Sequence, residues 1–367
     1  MKVLLVEEGW HATMAIARGL HDAGLHVTVN TANGTSARCE HDGVEWRSGP
    51  PVRSDRFVPE LDALVTARAI DVVLPLTEAA MCRLWDAGVT WSERIFPHTQ
   101  RWQQALVRDK HALLEHLAGN GVAVPRYQRV DDTFDPAAVI ASLGLPLVVK
   151  GATGSGGRHV RIASSESELV HALERAAAID DRWIVQEHVD GPTYLVGGLF
   201  DRGRPLRLYA AEKLELHPPR IGGAIRVRSV SDRALVAAGV RAIELLGWTG
   251  FASVDLMRRG DEYVVLEINP RLWGSFAGAT SAGVDLLAPF AQLLAGQTPA
   301  PVLEFAADST CMIFPRYLNA AAHRNVAGIV QAWRDLRGEQ GRDWRDPRFV
   351  LHVLRRLYYM KQDAVRL

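Results

Sequence analysis

The chain has 367 residues, 48% of them apolar, with 42 basic side chains balancing 42 acidic ones. That length predicts two or three domains, and the apolar content excludes a disordered chain. Zero formal net charge argues against nucleic-acid binding through bulk phosphate neutralisation, and no apolar run reaches membrane-spanning length, so neither nucleic acid nor membrane is an expected partner.

The opening MKVLLVEEGW reads as a first strand and not as a signal peptide. A strand over residues 3–6, a helix over 12–23 closed by Gly24, and a strand over 27–30 make a βαβ unit and imply a parallel sheet. A later strand over 70–76 ends at the sheet's carboxyl edge, where ligands of open α/β sheets bind. Glu78, just beyond it, either contacts substrate there or is an ordinary acid at a helix N-terminus. The dinucleotide fingerprint is missing, since only Gly9, Trp10 and His11 follow the first strand.

From about Trp102 the pattern changes. A helix over 109–119 carries Lys110 in its first turn. Strands follow over 145–150 and 158–163, a helix over 166–178, and a strand over 183–189. Segments 195–200 and 206–214 form a strand pair around DRGRP, and a helix over 232–246 leads into a hairpin. Cys39, Cys82 and Cys311 are odd in number and far apart, which suits a reducing cytoplasm, the expected location. The thirteen histidines form no compact ligand set, so zinc is not expected.

That hairpin, FASVDLMRRGDEYVVLEINPR over 251–271, carries the chemistry. A turn centred on Asp261 places Asp255 across from Glu267, with Asn269 on the same face. Two carboxylates and an amide oxygen are hard ligands suited to Mg²⁺ or Mn²⁺. The acids interrupt otherwise apolar strands, and buried acids need cations. KGATGSGG over 150–157 sets a lysine at a strand end before a glycine-rich loop (Gly154, Ser155, Gly156, Gly157), able to bring backbone N–H groups close to phosphate oxygens. It is no Walker A loop, because no GK[ST] follows.

These motifs in this order resemble the ATP-grasp superfamily. The likeness runs through about residue 300 and includes QEHV with DG two residues on, over 186–191. It implies an α/β (α+β) ATP-grasp fold. An N-terminal Rossmann-like pre-ATP-grasp domain would span 1–100, a lid subdomain with the glycine loop 101–190, and a central antiparallel-sheet domain with the metal site 191–300. A C-terminal helical extension, 301–367, would pack on the core.

It also implies roles. Lys110 and Lys150 would hold ATP phosphates, Lys150 also reaching toward the base, and residues 155–157 would cover the β- and γ-phosphates. Gln186 lies in the hinge strand, Glu187 with the backbone of His188 and Val189 would read the adenine edge, and Met257 would pack under the ring. Thr193 stands where the family usually carries an acid that bonds the ribose; a hydroxyl makes the weaker bond. Asp255, Glu267 and Asn269 would bind Mg²⁺ or Mn²⁺. Arg271 would be the transition-state cation, the other reading being an ion pair with Glu267. Lys213 is either a second phosphate contact or a solvated strand lysine. Arg226 and Arg228 alternate, hence share a face, and one would clamp a substrate carboxylate; Trp273 and Ser275 either border the acceptor pocket or belong to the core.

The implied activity is a carboxylate–amine ligase that makes an acyl phosphate from ATP and releases ADP and phosphate. Alternatives are acyl transfer to a thiol, a hydroxyl or a carrier protein, or a nucleotide-binding regulatory protein without turnover. Small-molecule carboxylate and amine substrates are the expected partners, with a homodimer or an acidic carrier protein as further options for the basic amphipathic helix over 346–367.

Overall fold

The computed structural model describes residues 1–8, 12–32, 43–131, 133–153, 160–177, 182–217 and 219–313. The glycine loop 154–157 and the basic helix expected over 346–367 lie outside them.

The N-terminal domain comprises β1 (Lys2–Glu7), α1 (Thr13–Asp22), β2 (His26–Thr31), β3 (Val44–Ser48), α2 (Phe57–Arg68), β4 (Val72–Pro75) and α3 (Glu78–Ala87). Its four strands are all parallel, in the order β3-β2-β1-β4. A parallel sheet is covered on both faces, which explains the unbroken apolar run of β1. Val3 and Leu5 join one core cluster, Leu4 and Val6 another. α3 starts at the carboxyl edge of β4, capped by Thr77, whose Oγ1 accepts the Ala80 N–H at 3.2 Å.

Next come α4 (Arg101–Arg108) and α5 (Lys110–Gly119). Asp109 caps α5, its Oδ1 accepting from His111 N at 2.8 Å. Leu113 and Leu117 of α5 belong to the core of the central domain, and Leu106 and Val107 of α4 pack against it.

The lid contains β5 (Tyr127–Val130), α6 (Pro136–Leu143), β6 (Leu147–Gly151), β7 (Val160–Ala163), α7 (Glu166–Ala177) and β8 (Trp183–Glu187). Its antiparallel order is β5-β8-β6-β7. Leu147, Val149 and Val185 bury one face against Val139 of α6 and Leu169 of α7. The other face carries Val148, Lys150, Ile184 and Gln186, which the register pairs directly across the sheet.

The central domain contains β9 (Thr193–Asp201), β10 (Arg204–His217), β11 (Gly223–Ser229), α8 (Arg233–Leu246), β12 (Gly250–Arg259), β13 (Glu262–Asn269), α9 (Ala277–Ser281), α10 (Leu287–Leu294) and β14 (Thr310–Met312). The six strands run antiparallel in the order β13-β12-β9-β10-β11-β14. Val196, Ala252, Val254 and Leu256 pack on α8 and α5. On the opposite face, Leu195, Tyr209, Ala211 and Val227 join the cluster that includes Val3 and Leu5, so one core continues from the N-terminal sheet into this one. Gly191, between lid and central sheet, has no room for a side chain: an added Cβ would collide with the Arg258 carbonyl.

Candidate functional site

The β12–β13 hairpin pairs Asp255 with Glu267 and Ser253 with Asn269. The turn alone does not produce this. It has two residues, Gly260 and Asp261, and its register (Arg259 with Glu262, Leu256 with Val265) would set Asp255 opposite Leu266. A bulge at Leu266 shifts the pairing by one residue and brings Glu267 across from Asp255. The bulge also turns the Leu266 carbonyl to the lid, where it accepts Lys150 Nζ at 3.4 Å.

Cations surround the two acids. Lys213 Nζ lies 2.6 Å from Asp255 Oδ2, with the two side chains 10% and 20% exposed. Lys110 is brought in because its backbone N–H, at the start of α5, donates to Ala152 O at 2.8 Å, just past β6. Lys150 is buried; desolvation pulls its pKa down to about 8, Lys110 works in the same direction, and Glu267 opposes. Burial pushes the Glu267 carboxyl up, but Lys110, Lys150, Lys213 and the Asn269 amide outweigh it, so Glu267 is held below its usual value. Asp255 is raised, first by burial and then by Glu267, against the pull of Lys213.

Arg271 pairs with Glu78, not with Glu267: its Nη2 is 3.1 Å from Glu78 Oε1 and donates to Asn269 Oδ1 at 3.3 Å, while Nη1 donates to Leu272 O at 3.2 Å. Glu78, at the carboxyl edge of the N-terminal sheet, is thereby tied to the hairpin of the central domain. A cleft of about 390 Å³ opens beside this point, reaching Glu78, Lys110, Thr153, Glu267 and Asn269.

The donor set of Asp255, Glu267 and Asn269 fits a hard divalent cation: two opposed carboxylates, one of them held ionised, and an amide oxygen on the same face. Among the described residues no cluster of three His, Cys, Asp or Glu side chains is present, so any metal here needs the Asn269 oxygen or ligands from outside the protein.

Other expected site residues are placed as follows. Gln186 is buried on the Lys150 face of the lid, and its Oε1 has no hydrogen-bond partner. Glu187 pairs with Leu147, on the helix-covered face. Its carboxylate is occupied by Arg126 Nε at 2.7 Å and Arg259 Nη1 at 2.6 Å, and its backbone N–H donates to Arg126 O at 2.9 Å. The His188 N–H donates to Pro146 O at 3.3 Å, and Val189 is buried. Met257 and Thr193 face each other across β12 and β9, on the face of Asp255.

Arg226 and Arg228 share a face, but it is the wrong one for this site. Val227 pairs with Lys213, so its neighbours point to the other side, where Arg226 meets Glu215 at 3.6 Å and Arg228 meets Glu212 at 2.6 Å. Trp273 and Ser275 are buried, and neither lines the cleft. Trp273 stacks on Tyr209 (centroids 6.4 Å apart, planes 12° apart) over Gly197, where a Cβ would come within 2.9 Å of the ring. Beyond Glu78, sequence reasoning missed the wall of the cleft on α3. Glu78, Met81, Cys82 and Trp85 are spaced i, i+3, i+4, i+7, a one-faced helical pattern that would have found it.

With this geometry in place, a family model described as an ATP-grasp domain matches residues 107–275. Over those residues the chain is similar to the ATP-grasp family. A D-alanine–D-alanine ligase of Desulforudis audaxviator is 36% identical over 185 residues, covering 45% of this chain and 58% of that protein. The chain thus spans just over half the length of that relative. Two solved structures share the fold. A biotin carboxylase of Campylobacter jejuni has TM-score 0.69 at 16% identity, covering 84% of this chain and 74% of its own. An L-amino acid ligase of Bacillus licheniformis has TM-score 0.62 at 19% identity, covering 80% and 74%. The ATP-grasp match holds Lys110, Lys150, Lys213, Asp255, Glu267, Asn269 and Arg271 within its bounds and leaves Glu78 outside.

Proposed function

We propose that this protein is a magnesium-dependent ligase that joins a carboxylate to an amine, forming ADP and phosphate. The observation that carries the reading is the convergence of Lys110, Lys150 and Lys213 on the opposed pair Asp255 and Glu267, with Arg271 beside them. Likeness to a D-alanine–D-alanine ligase over 185 residues supports it. Among the described residues no helix is long and apolar enough to cross a membrane.

On this reading Lys110 and Lys150 hold the phosphates of ATP, and Lys213 approaches the transferred group. A divalent cation held by Asp255, Glu267 and Asn269 would neutralise charge spreading over that group. Arg271 exchanges Glu78 for the substrate carboxylate, and its planar fork orients that carboxylate toward the γ-phosphorus. A carboxylate oxygen attacks phosphorus and ADP leaves. The amine then attacks the acyl carbon, phosphate leaves, and a proton is lost from nitrogen. The second step needs placement more than a general base, because phosphate is a good leaving group.

The test is ADP release with MgATP and pooled carboxylates and amines, followed by mass spectrometry of the products. Turnover that needs both substrates, with a product one water lighter than their sum, supports the ligase. ATP binding with no substrate-dependent ADP release contradicts it.

A further inference from the structure

We propose that the cleft between α3, α4, α5 and β13 is a substrate pocket for a molecule with a charged reacting end and a bulky apolar body, and that Trp85 is its specificity wall. The proposal rests on the ligase reading only for which end of the ligand reacts.

The cleft, about 390 Å³, lies within the roughly 300–1,000 Å³ typical of small-molecule sites, and it has two unlike ends. Glu78, Lys110, Thr153, Glu267 and Asn269 make the polar end, part of which ATP phosphates would fill. Away from it the lining changes to Met81 and Trp85 on α3, Val107 and Leu113 on the facing helices, and Ile268 as the floor. Trp85 and Val107 are only half-buried, so their apolar surface is available to a ligand.

The cation on this wall is paired through both Nη atoms, while its buried Nε has no hydrogen-bond partner. Arg108 lies over the Trp85 ring at 5.3 Å, with Nη1 2.7 Å from Asp86 Oδ1 and Nη2 donating to Cys82 O at 3.2 Å. These contacts neutralise the guanidinium and hold it as a buttress for the indole, so this end of the cleft does not recruit a second anion. An apolar wall next to a charged reacting centre favours a substrate such as an amino acid with an aromatic or branched side chain over glycine. Each methylene buried here contributes about fourfold in affinity.

Binding is measured apart from turnover. The full-length protein with MgADP is titrated with phenylalanine (both enantiomers) and with glycine, reading the thermal midpoint, and ADP release from MgATP is measured with the same amines. Phenylalanine at about 10 mM is expected to raise the midpoint by about 2 °C or more while glycine does not. Val107→Trp, which fills the apolar end, is expected to abolish that rise. If Val107→Trp does not fold, Cys82→Phe fills the same space from α3. Equal responses to glycine and phenylalanine, or a phenylalanine response that survives filling, overturn the pocket even if ADP release with glycine upholds the ligase. A phenylalanine response lost on filling, without ADP release from any amine, leaves the pocket standing and removes the ligase.

Discussion

Lys213 Nζ and Asp255 Oδ2 are 2.6 Å apart in a part of the protein that water barely reaches. The ammonium stands against an oxygen that would otherwise serve a divalent cation, so metal binding at Asp255 must displace or share it. Lys213→Met is expected to bind Mn²⁺ more tightly in the absence of nucleotide, by at least about threefold, which is under 1 kcal/mol. It is also expected to lose turnover. Mn²⁺ titration followed by electron paramagnetic resonance checks the first part. Unchanged or weaker binding would show that the lysine does not compete.

Glu267 sits among three lysines and pairs directly with Asp255. Glu267→Gln keeps the shape and removes the charge. Turnover should fall by about a hundredfold to a thousandfold, the scale seen when one electrostatic stabiliser of a transition state is lost. The thermal midpoint and circular dichroism should stay close to wild type. Wild-type rates in this variant would remove Glu267 from the metal site.

Arg271 and Glu78 link the hairpin to the N-terminal sheet at 3.1 Å. If a substrate carboxylate takes Glu78's place, Glu78→Gln frees the guanidinium in advance, and the KM for the carboxylate should fall or hold while the KM for the amine changes. Arg271→Lys loses the planar fork and should lower kcat by about a hundredfold or more. Steady-state kinetics with each substrate varied in turn reads both. A kcat for Arg271→Lys within twofold of wild type would leave Arg271 a structural link only.

Much of this was legible in the sequence, because strongly periodic strands and acids that interrupt apolar runs are local signals. Asp255 and Glu267 were paired correctly, but for an incomplete reason: the bulge at Leu266, set by tertiary packing, supplies the residue that the two-residue turn does not. Arg226 and Arg228 show a limit of another kind, one of long-range register. Alternation gave them a common face, but which face follows from Val227 pairing with Lys213, a long-range fact that no local pattern carries. The surroundings of Glu187 are long-range in the same way, since its register with Leu147 aims its carboxylate at Arg126 and Arg259. The contact between Glu78 and Arg271 joins residues far apart in the chain.

Asp232 supports the helix behind the site. Its Oδ1 caps α8 through Ala234 N at 2.8 Å, and its Oδ2 accepts the Tyr263 hydroxyl at 2.7 Å, which ties α8 to β13. The Tyr263 hydrogen bond is the first cause holding its carboxyl below the ordinary value, so the ionised form stabilises the fold. That stability is complete above the unfolded pKa, about 3.9, and is lost as pH falls through the lower folded value. The stability difference between wild type and Asp232→Asn should therefore be flat above about pH 5 and shrink below about pH 4. Asp232→Ala, which also removes the cap, should cost about 1 kcal/mol more. Urea unfolding between pH 3 and 7 reads both. A gap that widens toward low pH would contradict the assignment.

The most direct measurement is a crystal grown with Mn²⁺ and a non-hydrolysable ATP analogue, examined at the manganese edge. The account predicts an anomalous peak bonded at about 2.0–2.2 Å to oxygens of Asp255, Glu267 and Asn269, with the polyphosphate on its other side and Lys150 against a phosphate oxygen. A bound nucleotide whose metal sits elsewhere, with Asp255 still paired to Lys213, would contradict it.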